Sequence, residues 1–262
     1  MTVDERTLDQ VARLVAGGRR NVAFTGAGVS VESGIPDFRS AGGLWERFDP
    51  ADYATIEAFR RDPAKVWQMY REMGELLDRA EPNAAHRALA RLEDLGRLEA
   101  IITQNIDNLH QEAGSRRVIE FHGNARRLVC SCGRVESAAE VKRRWAAGED
   151  FPPRCRSCGA VLKPDVVLFG EPVPQEASRE AMRLVQHPDV LLAVGTSAVV
   201  APASYLPVVA SKTGGTIVEI NVERTDLTGT YAAYSLFGPA GEVMPALVER
   251  VEGLLERDRS PT

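Results

Sequence analysis

Residues 103–123 gather the side chains best suited to chemistry: Gln104, Asn105, Asp107 and His110, then His122 followed by Gly123. An imidazole has the ordinary pKa for moving a proton near neutral pH, while amides and a carboxylate can orient a polar ligand by hydrogen bonding. Residues 98–102, just upstream, read as a short buried strand, and residues 117–120 as a second one. In an open α/β sheet, ligands bind beyond the carboxyl ends of the strands. Two adjacent strands would thus deliver an amide, a carboxylate and an imidazole to one rim.

Two further groups have spacing that suggests chemistry. Gly26, Ala27 and Gly28 follow residues 21–25, another apolar run that reads as a strand. Glycines at a strand-to-helix turn let backbone N–H groups approach a pyrophosphate, whose charge the next helix N-terminus favours. The loop departs from G-x-G-x-x-G, because Val31 holds the third glycine position and the next glycine is Gly34. No strand ending in an acid follows at the usual distance, which disfavours a hydride-transferring dehydrogenase. A tight turn without ligand is the plain alternative. Asp37 and Arg39 flanking Phe38 fit turn geometry poorly, although a local ion pair and a core contact would also account for them. The third group is Cys130-x-Cys132 with Cys155-x-x-Cys158. Four thiolates from two short turns, beside Gly133 and Gly159, match a tetrahedral structural zinc centre of the ribbon kind that leaves no position for water. Buried inert cysteines and two local disulfides are the alternatives, and a reducing compartment favours the metal.

Positioning these groups takes alternating strands and helices. Residues 4–17 put Leu8, Val11, Leu14 and Val15 on one helix face. Residues 50–80, with Phe59, Val66, Trp67 and Tyr70, read as a helical module inserted after the glycine loop. Asn83 caps the next helix, which Gly96 ends, and His86 within it reads as a packing residue. A helix over 137–146 lies between the cysteine pairs. From Leu162 the α/β pattern returns: a strand with a glycine turn over 163–171, a helix over 175–186, then the near-continuous apolar run 189–194 of a parallel sheet. That run ends at Gly195, Thr196 and Ser197. Residues 215–220 form the next strand, ending at Asn221, Val222 and Glu223, and a last helix covers 241–255. His187 reads as a surface residue and His110 as a structural hydrogen-bonding one. The cysteine segment is basic, with Arg126, Arg127, Arg134, Lys142, Arg143, Arg144, Arg154, Arg156 and Lys163. Compensation of a tetrathiolate, solvation and a partner surface each explain that.

The 262 residues, 44% hydrophobic and 26% charged, suit one large domain or a domain with an insert. A net charge of −5 argues against a generic nucleic-acid binder. The N-terminus lacks a basic and apolar leader, and no run is long enough to cross a bilayer, so a cytoplasmic protein with no membrane partner is expected. The oligomeric state is not legible.

Taken together, Gly26–Ser30, Gly34–Arg39, residues 103–107, His122 with Gly123, the cysteine pairs, residues 169–171, 195–197 and 221–223 resemble the sirtuins, NAD-dependent protein-lysine deacylases. The resemblance is collinear from about Asn21 to Glu223 and reaches the turn at 238–242. It implies an α/β fold: a Rossmann-like parallel sheet (1–41, 81–125 and 162–262) with an inserted small domain of helical module (42–80) and zinc ribbon (126–161). NAD and an acyl-lysine protein or peptide would meet in the cleft between them. By resemblance, Gly26, Ala27, Gly28, Ile35, Pro36, Asp37, Phe38, Arg39 and Trp45 belong to the NAD site. Gln104 and Asn105 would hold the nicotinamide ribose, Ile106 and Asp107 the carboxamide. Gly195, Thr196, Ser197, Asn221, Val222, Glu223 and Ala240 would line the adenosine half. Val167, Leu168, Phe169, Gly170 and Glu171 would wall the peptide channel, where an extended substrate could add as a strand.

The implied reaction suits these residue types. The acyl-lysine carbonyl oxygen attacks the ribose C1′ as nicotinamide leaves, which is positioning work. His122 and Asn105 would be catalytic, His122 as general base on the ribose hydroxyl that attacks the resulting imidate carbon. The products would be free lysine, nicotinamide and O-acyl-ADP-ribose. Sirtuins acting on succinyl or malonyl groups resemble one another in a Tyr-x-x-Arg pair. Here Tyr70 is present but Met73 stands at the arginine position, so acidic acyl groups lack a bidentate partner and neutral ones are expected. A mono-ADP-ribosyltransferase using the same cleft is the runner-up, and a non-catalytic ADP-ribose or zinc-ribbon interaction module a further rival.

Overall fold

The computed structural model describes residues 4–37 and 43–259. The chain opens with α1 (Glu5–Gly17), β1 (Asn21–Thr25) and a 3-10 turn (Ala27–Ser33), then four helices: α2 (Leu44–Arg47), α3 (Pro50–Tyr53), α4 (Ile56–Arg61) and α5 (Pro63–Arg79). Next come α6 (Ala84–Asp94), β2 (Ala100–Thr103), α7 (Leu109–Glu112) and β3 (Val118–Glu120). An insert follows with β4 (Gly123–Val129), β5 (Val135–Ser137), α8 (Ala138–Ala146) and β6 (Lys163–Val166). The chain closes with α9 (Gln175–Val185), β7 (Val190–Val194), α10 (Tyr205–Lys212), β8 (Thr216–Asn221), β9 (Ala232–Phe237) and α11 (Ala240–Arg259).

Six strands form a parallel sheet in the order β3-β2-β1-β7-β8-β9. Alternation along β1 explains why helices cover both faces. Ala23 joins a core with Leu8 and Val11 of α1, Leu89 of α6 and Val243 and Leu247 of α11. Val22 and Phe24 point the other way, to Leu184 of α9 and Leu206 of α10. The strand order reverses between β1 and β7, and the crevice above such a switch point is where α/β sheets bind ligands.

A second, antiparallel sheet runs β5-β4-β6. Here the structure differs from the sequence-based expectation for residues 163–171. Their strand stops at Val166, and it pairs with β4 of the small sheet rather than continuing the parallel one. Alternating apolar residues announce a strand but do not choose its partner. The helical module and the insert meet along α5. Trp67 packs edge-on against Trp145 at 5.4 Å, Trp145 tilts against Phe151, and the Trp67 indole donates to the Leu162 carbonyl at 2.8 Å. Lys142 of α8 donates to the Gly74 carbonyl and to Asp78.

Most of the basic side chains in and around the insert have acidic neighbours. Arg144 and Glu136 form a buried pair at 2.6 Å, Arg156 reaches Glu140, Arg126 reaches Asp78 and Glu112, and Arg127 reaches Glu120 and Asp165. Internal ion pairing therefore accounts for much of the basic composition without a partner surface. No helix among the described residues is long and apolar enough to cross a membrane.

Candidate active site

A cleft of about 800 Å³ opens above the β1/β7 switch point and runs to the helical module, within the range of small-molecule sites. Its floor is built by close backbone contact. The Gly26 N–H donates to the Val194 carbonyl and the Gly28 N–H to the Gly195 carbonyl. A Cβ on Gly28 would sit 2.8 Å from the Gly195 Cα, and one on Gly195, where φ is +58°, only 2.3 Å from the Val29 nitrogen. The glycines thus let the loops after β1 and β7 interlock. Two of the N–H groups expected to face a pyrophosphate are engaged in that contact.

The stretch after β2 brings its polar groups together as anticipated. Gln104 Nε2 donates to Thr196 Oγ1 at 2.8 Å, tying the end of β2 to the loop after β7. Asn105, buried, donates through Nδ2 to the Gly26 carbonyl and to Ser30 Oγ. Asp107, also buried, accepts from the Leu109 N–H at 2.9 Å and from Ser30 Oγ at 2.7 Å. Burial pushes its carboxyl above the ordinary range despite those bonds.

Ser30 is the hub of this network, and the sequence reading passes over it. Its partners lie 56 to 77 residues away in the chain, and one serine in a glycine loop carries no spacing signal of its own. Beneath it His86 and His110 pack edge-on at 4.9 Å. His86 Nδ1 accepts from the Asn83 N–H and Nε2 lies 3.5 Å from Ser30 Oγ. Thr25 Oγ1 donates to Thr103, so His110 Nε2 donates to Thr25, and His110 Nδ1 is left buried without a partner among the described residues. Burial lowers both imidazoles, His86 to about 4 and His110 well below the usual histidine value. Both are buried and hydrogen-bonded in the core beneath the cleft, where the sequence suggested packing for His86 and structural hydrogen bonding for His110.

His122 occupies the hinge between sheets. β3 of the parallel sheet ends at Glu120, and β4 of the small sheet begins at Gly123. Its Nδ1 lies 3.2 Å from the Gln104 carbonyl. A carbonyl only accepts, so Nδ1 carries the proton and Nε2 the lone pair. Burial lowers its pKa, opposed by the hydrogen bond to Gln104. A neutral imidazole with a free Nε2 can take a proton from a hydroxyl in the cleft.

The wall toward the helical module is apolar. Met73 is buried among Leu44, Phe48, Ala54 and Met69, with Tyr70 and Ile106 against them, and Trp45 tilts onto Phe169 at 6.3 Å. Residues 167–171 form a clamped turn. The N–H of Val167 donates to His122 O, that of Leu168 to the Glu171 carboxylate, and that of Phe169 to Ala54 O, while Lys163 bonds Glu171 at 3.0 Å. At the far end Asn221 donates to the Thr196 carbonyl, and Val222, Glu223 and Ala240 complete the lining beside Ser197. Ala27, Ile35, Pro36, Asp37 and Gly170 also line the cleft. Phe38 and Arg39 lie outside the described residues. Among residues not anticipated, Leu76 and Leu77 extend the apolar wall; their helical spacing signals burial but not which cavity they face.

The four cysteines converge. Their sulfurs all lie within 4.8 Å of one another, with Cys130 to Cys158 at 3.4 Å and Cys132 to Cys155 at 3.8 Å. Four thiolates around one zinc at Zn–S of about 2.3 Å are about 3.8 Å apart, so the cluster fits a tetrahedral metal better than two local disulfides.

Comparison with known proteins agrees with this geometry. The chain is 49% identical over 250 residues to an NAD-dependent protein deacylase of Thermococcus kodakarensis, covering 95% of this chain and 97% of that one. A solved Sir2 homologue, a mutant in complex with 2′-O-acetyl ADP ribose, superposes with a TM-score of 0.87 at 44% identity, covering 98% of this chain and 100% of the other. A Sir2 protein bound to a myristoylated histone peptide superposes at 0.81 with 39% identity, covering 97% and 100%. The Sir2 family model spans residues 26–202, from the glycine loop through the small antiparallel sheet to the loop after β7, and on that evidence the chain belongs to the Sir2 family.

Proposed function

We infer that this protein is an NAD-dependent protein-lysine deacylase of the sirtuin type that acts on neutral acyl groups and releases nicotinamide and O-acyl-ADP-ribose. The observation that carries this reading is His122 at the hinge of the two sheets. Its Nδ1 proton is held by Gln104 O, and its ring lines a cleft shared by the glycine loops and the apolar wall of Tyr70 and Met73. NAD supplies an electrophilic ribose carbon and a ribose hydroxyl that receives the acyl group. The protein's part is positioning and proton transfer. Gly26, Ala27 and Gly28 with Ile35, Pro36 and Asp37 hold the pyrophosphate side. Gln104, Asn105, Ile106 and Asp107 orient the nicotinamide and its ribose. Residues 195–197 and 221–223 with Ala240 receive the adenosine. His122 takes the hydroxyl proton on Nε2.

Residues 167–171 wall the peptide channel, and the acylated side chain lies against Tyr70 and Met73. Zinc at the four cysteines is structural, because the thiolates fill a tetrahedron. Two separate sheets support the division into a NAD-binding domain and an inserted small domain. The pairing of β6 with β4 favours an insert that runs to Val166 rather than ending at 161.

A panel of acetyl-, succinyl- and myristoyl-lysine on one peptide, followed by mass spectrometry with and without NAD, tests the reading. NAD-dependent loss of acetyl or myristoyl, with little loss of succinyl, is expected. Labelled ADP-ribose transferred to protein without any acyl-lysine requirement would instead identify a mono-ADP-ribosyltransferase.

A further inference from the structure

β8 carries one carboxylate, Glu219, that is wholly buried and does not line the cleft. In register it lies between Ala193 of β7 and Ser235 of β9. Its oxygens accept from three hydroxyls: Thr225 Oγ1 at 2.5 Å, Thr228 Oγ1 at 2.7 Å and Ser235 Oγ at 2.7 Å. Two of these hydroxyls also hold backbone, since Thr225 Oγ1 accepts from the Leu227 N–H and Thr228 Oγ1 from the Thr225 N–H. A buried carboxylate is costly unless fully hydrogen-bonded, so an apolar side chain would serve the core better at this position. What the carboxylate adds is a fixed course for residues 222–231. Within that loop only Leu227 is buried, and Val222 at its start is 60% exposed, so apolar packing does little to hold it.

The loop's first residues, Val222 and Glu223, form the end wall of the cleft, next to Asn221 and its bond to Thr196. We propose that Glu219 is a positioning residue for the adenosine half of NAD: through three hydroxyls it sets the loop whose leading residues receive that half. This rests on the deacylase reading and adds to it a residue that touches neither NAD nor peptide.

Steady-state kinetics of the full chain with an acetyl-lysine peptide, plus calorimetric titration with ADP-ribose, test it. Glu219→Ala is expected to raise the KM for NAD and the Kd for ADP-ribose about tenfold, the scale of a lost charged hydrogen-bond set. The kcat at saturating NAD and the KM for peptide stay within about twofold, as expected for lost binding that is equal in ground and transition states. Glu219→Gln recovers most of the loss, because its amide oxygen accepts and a hydroxyl can turn to accept from its NH₂. A folded Glu219→Ala with unchanged NAD and ADP-ribose constants overturns the proposal. So does a loss spread equally over kcat and the peptide KM. If Glu219→Ala does not fold, Thr225→Val and Ser235→Ala each remove one donor and are expected to raise the same two constants about two- to fivefold; no change in either overturns the proposal. Wild-type protein that neither consumes NAD nor binds ADP-ribose would overturn the deacylase reading, and this inference with it.

Discussion

At the scale of single residues, the direction of one hydrogen bond sets the chemistry of His122. With Nδ1–H held by the Gln104 carbonyl, Nε2 is the basic nitrogen, and burial lowers its pKa from the ordinary histidine value. His122→Ala is expected to retain NAD binding by calorimetry while losing about a hundredfold or more in deacylation, the usual contribution of a general base. In the wild type, kcat/KM should fall as pH drops through a value below 6.5. The proposed base is competent only when neutral, and burial lowers the pKa of His122. A limb centred above 6.5 would contradict that. The place of His122 at the cleft was legible in the sequence because it follows a strand and precedes a glycine. Ser30 was not, because what distinguishes it is three partners, two from the loop after β2 and one from α6, brought together by folding alone.

At the scale of elements, two surfaces decide what the cleft accepts. The loops after β1 and β7 interlock through glycine, so Gly195→Ala must push Val29 away and also hold an L side chain at φ +58°. The strain alone costs roughly 1–2 kcal/mol. A lower Tm together with weaker NAD binding is expected, by scanning calorimetry and titration. The other surface is α5, whose Met73 is buried in an apolar cluster and itself offers no charge to an acidic acyl group. Met73→Arg is expected to raise the succinyl-to-acetyl ratio of kcat/KM by about tenfold or more, the yield of a charge-assisted contact; an unchanged ratio would show that the acyl end lies elsewhere. The parallel sheet could be read in advance, because strands buried on both faces appear as unbroken apolar runs such as 190–194. The fate of residues 163–166 could not. They alternate like any half-buried strand, and their partnership with β4 depends on where the insert folds back.

At the scale of the whole molecule, buried neutral histidines make the fold sensitive to acid. His86 and His110 are depressed in the folded state, so below pH 6.5 the unfolded chain takes up protons that the folded one refuses. His86 alone, shifted from 6.5 to about 4, contributes on the order of 3 kcal/mol of stability that is lost as pH falls across that interval. Asp107 works the other way, being raised, and its contribution is lost as pH rises through its folded value. Urea melts at pH 7 and pH 4.5 should show the net acid loss. Four cysteines in two pairs told of the metal in advance, whereas the seam that joins ribbon to helical module did not show, since it rests on ring contacts between distant segments. That seam has an optical consequence. The chain has three tryptophans, Trp45, Trp67 and Trp145: one faces Phe169 in the cleft, and the other two meet at the seam. None lies in the parallel sheet, so all indole emission originates in the helical module, the ribbon and the cleft wall. Removing zinc with a chelator, which reaches the exposed Cys132 and Cys158, should therefore red-shift the emission while most far-ultraviolet ellipticity from the parallel sheet and its helices persists. The two signals would resolve the unfolding of the small unit from that of the large one in a single unlabelled sample.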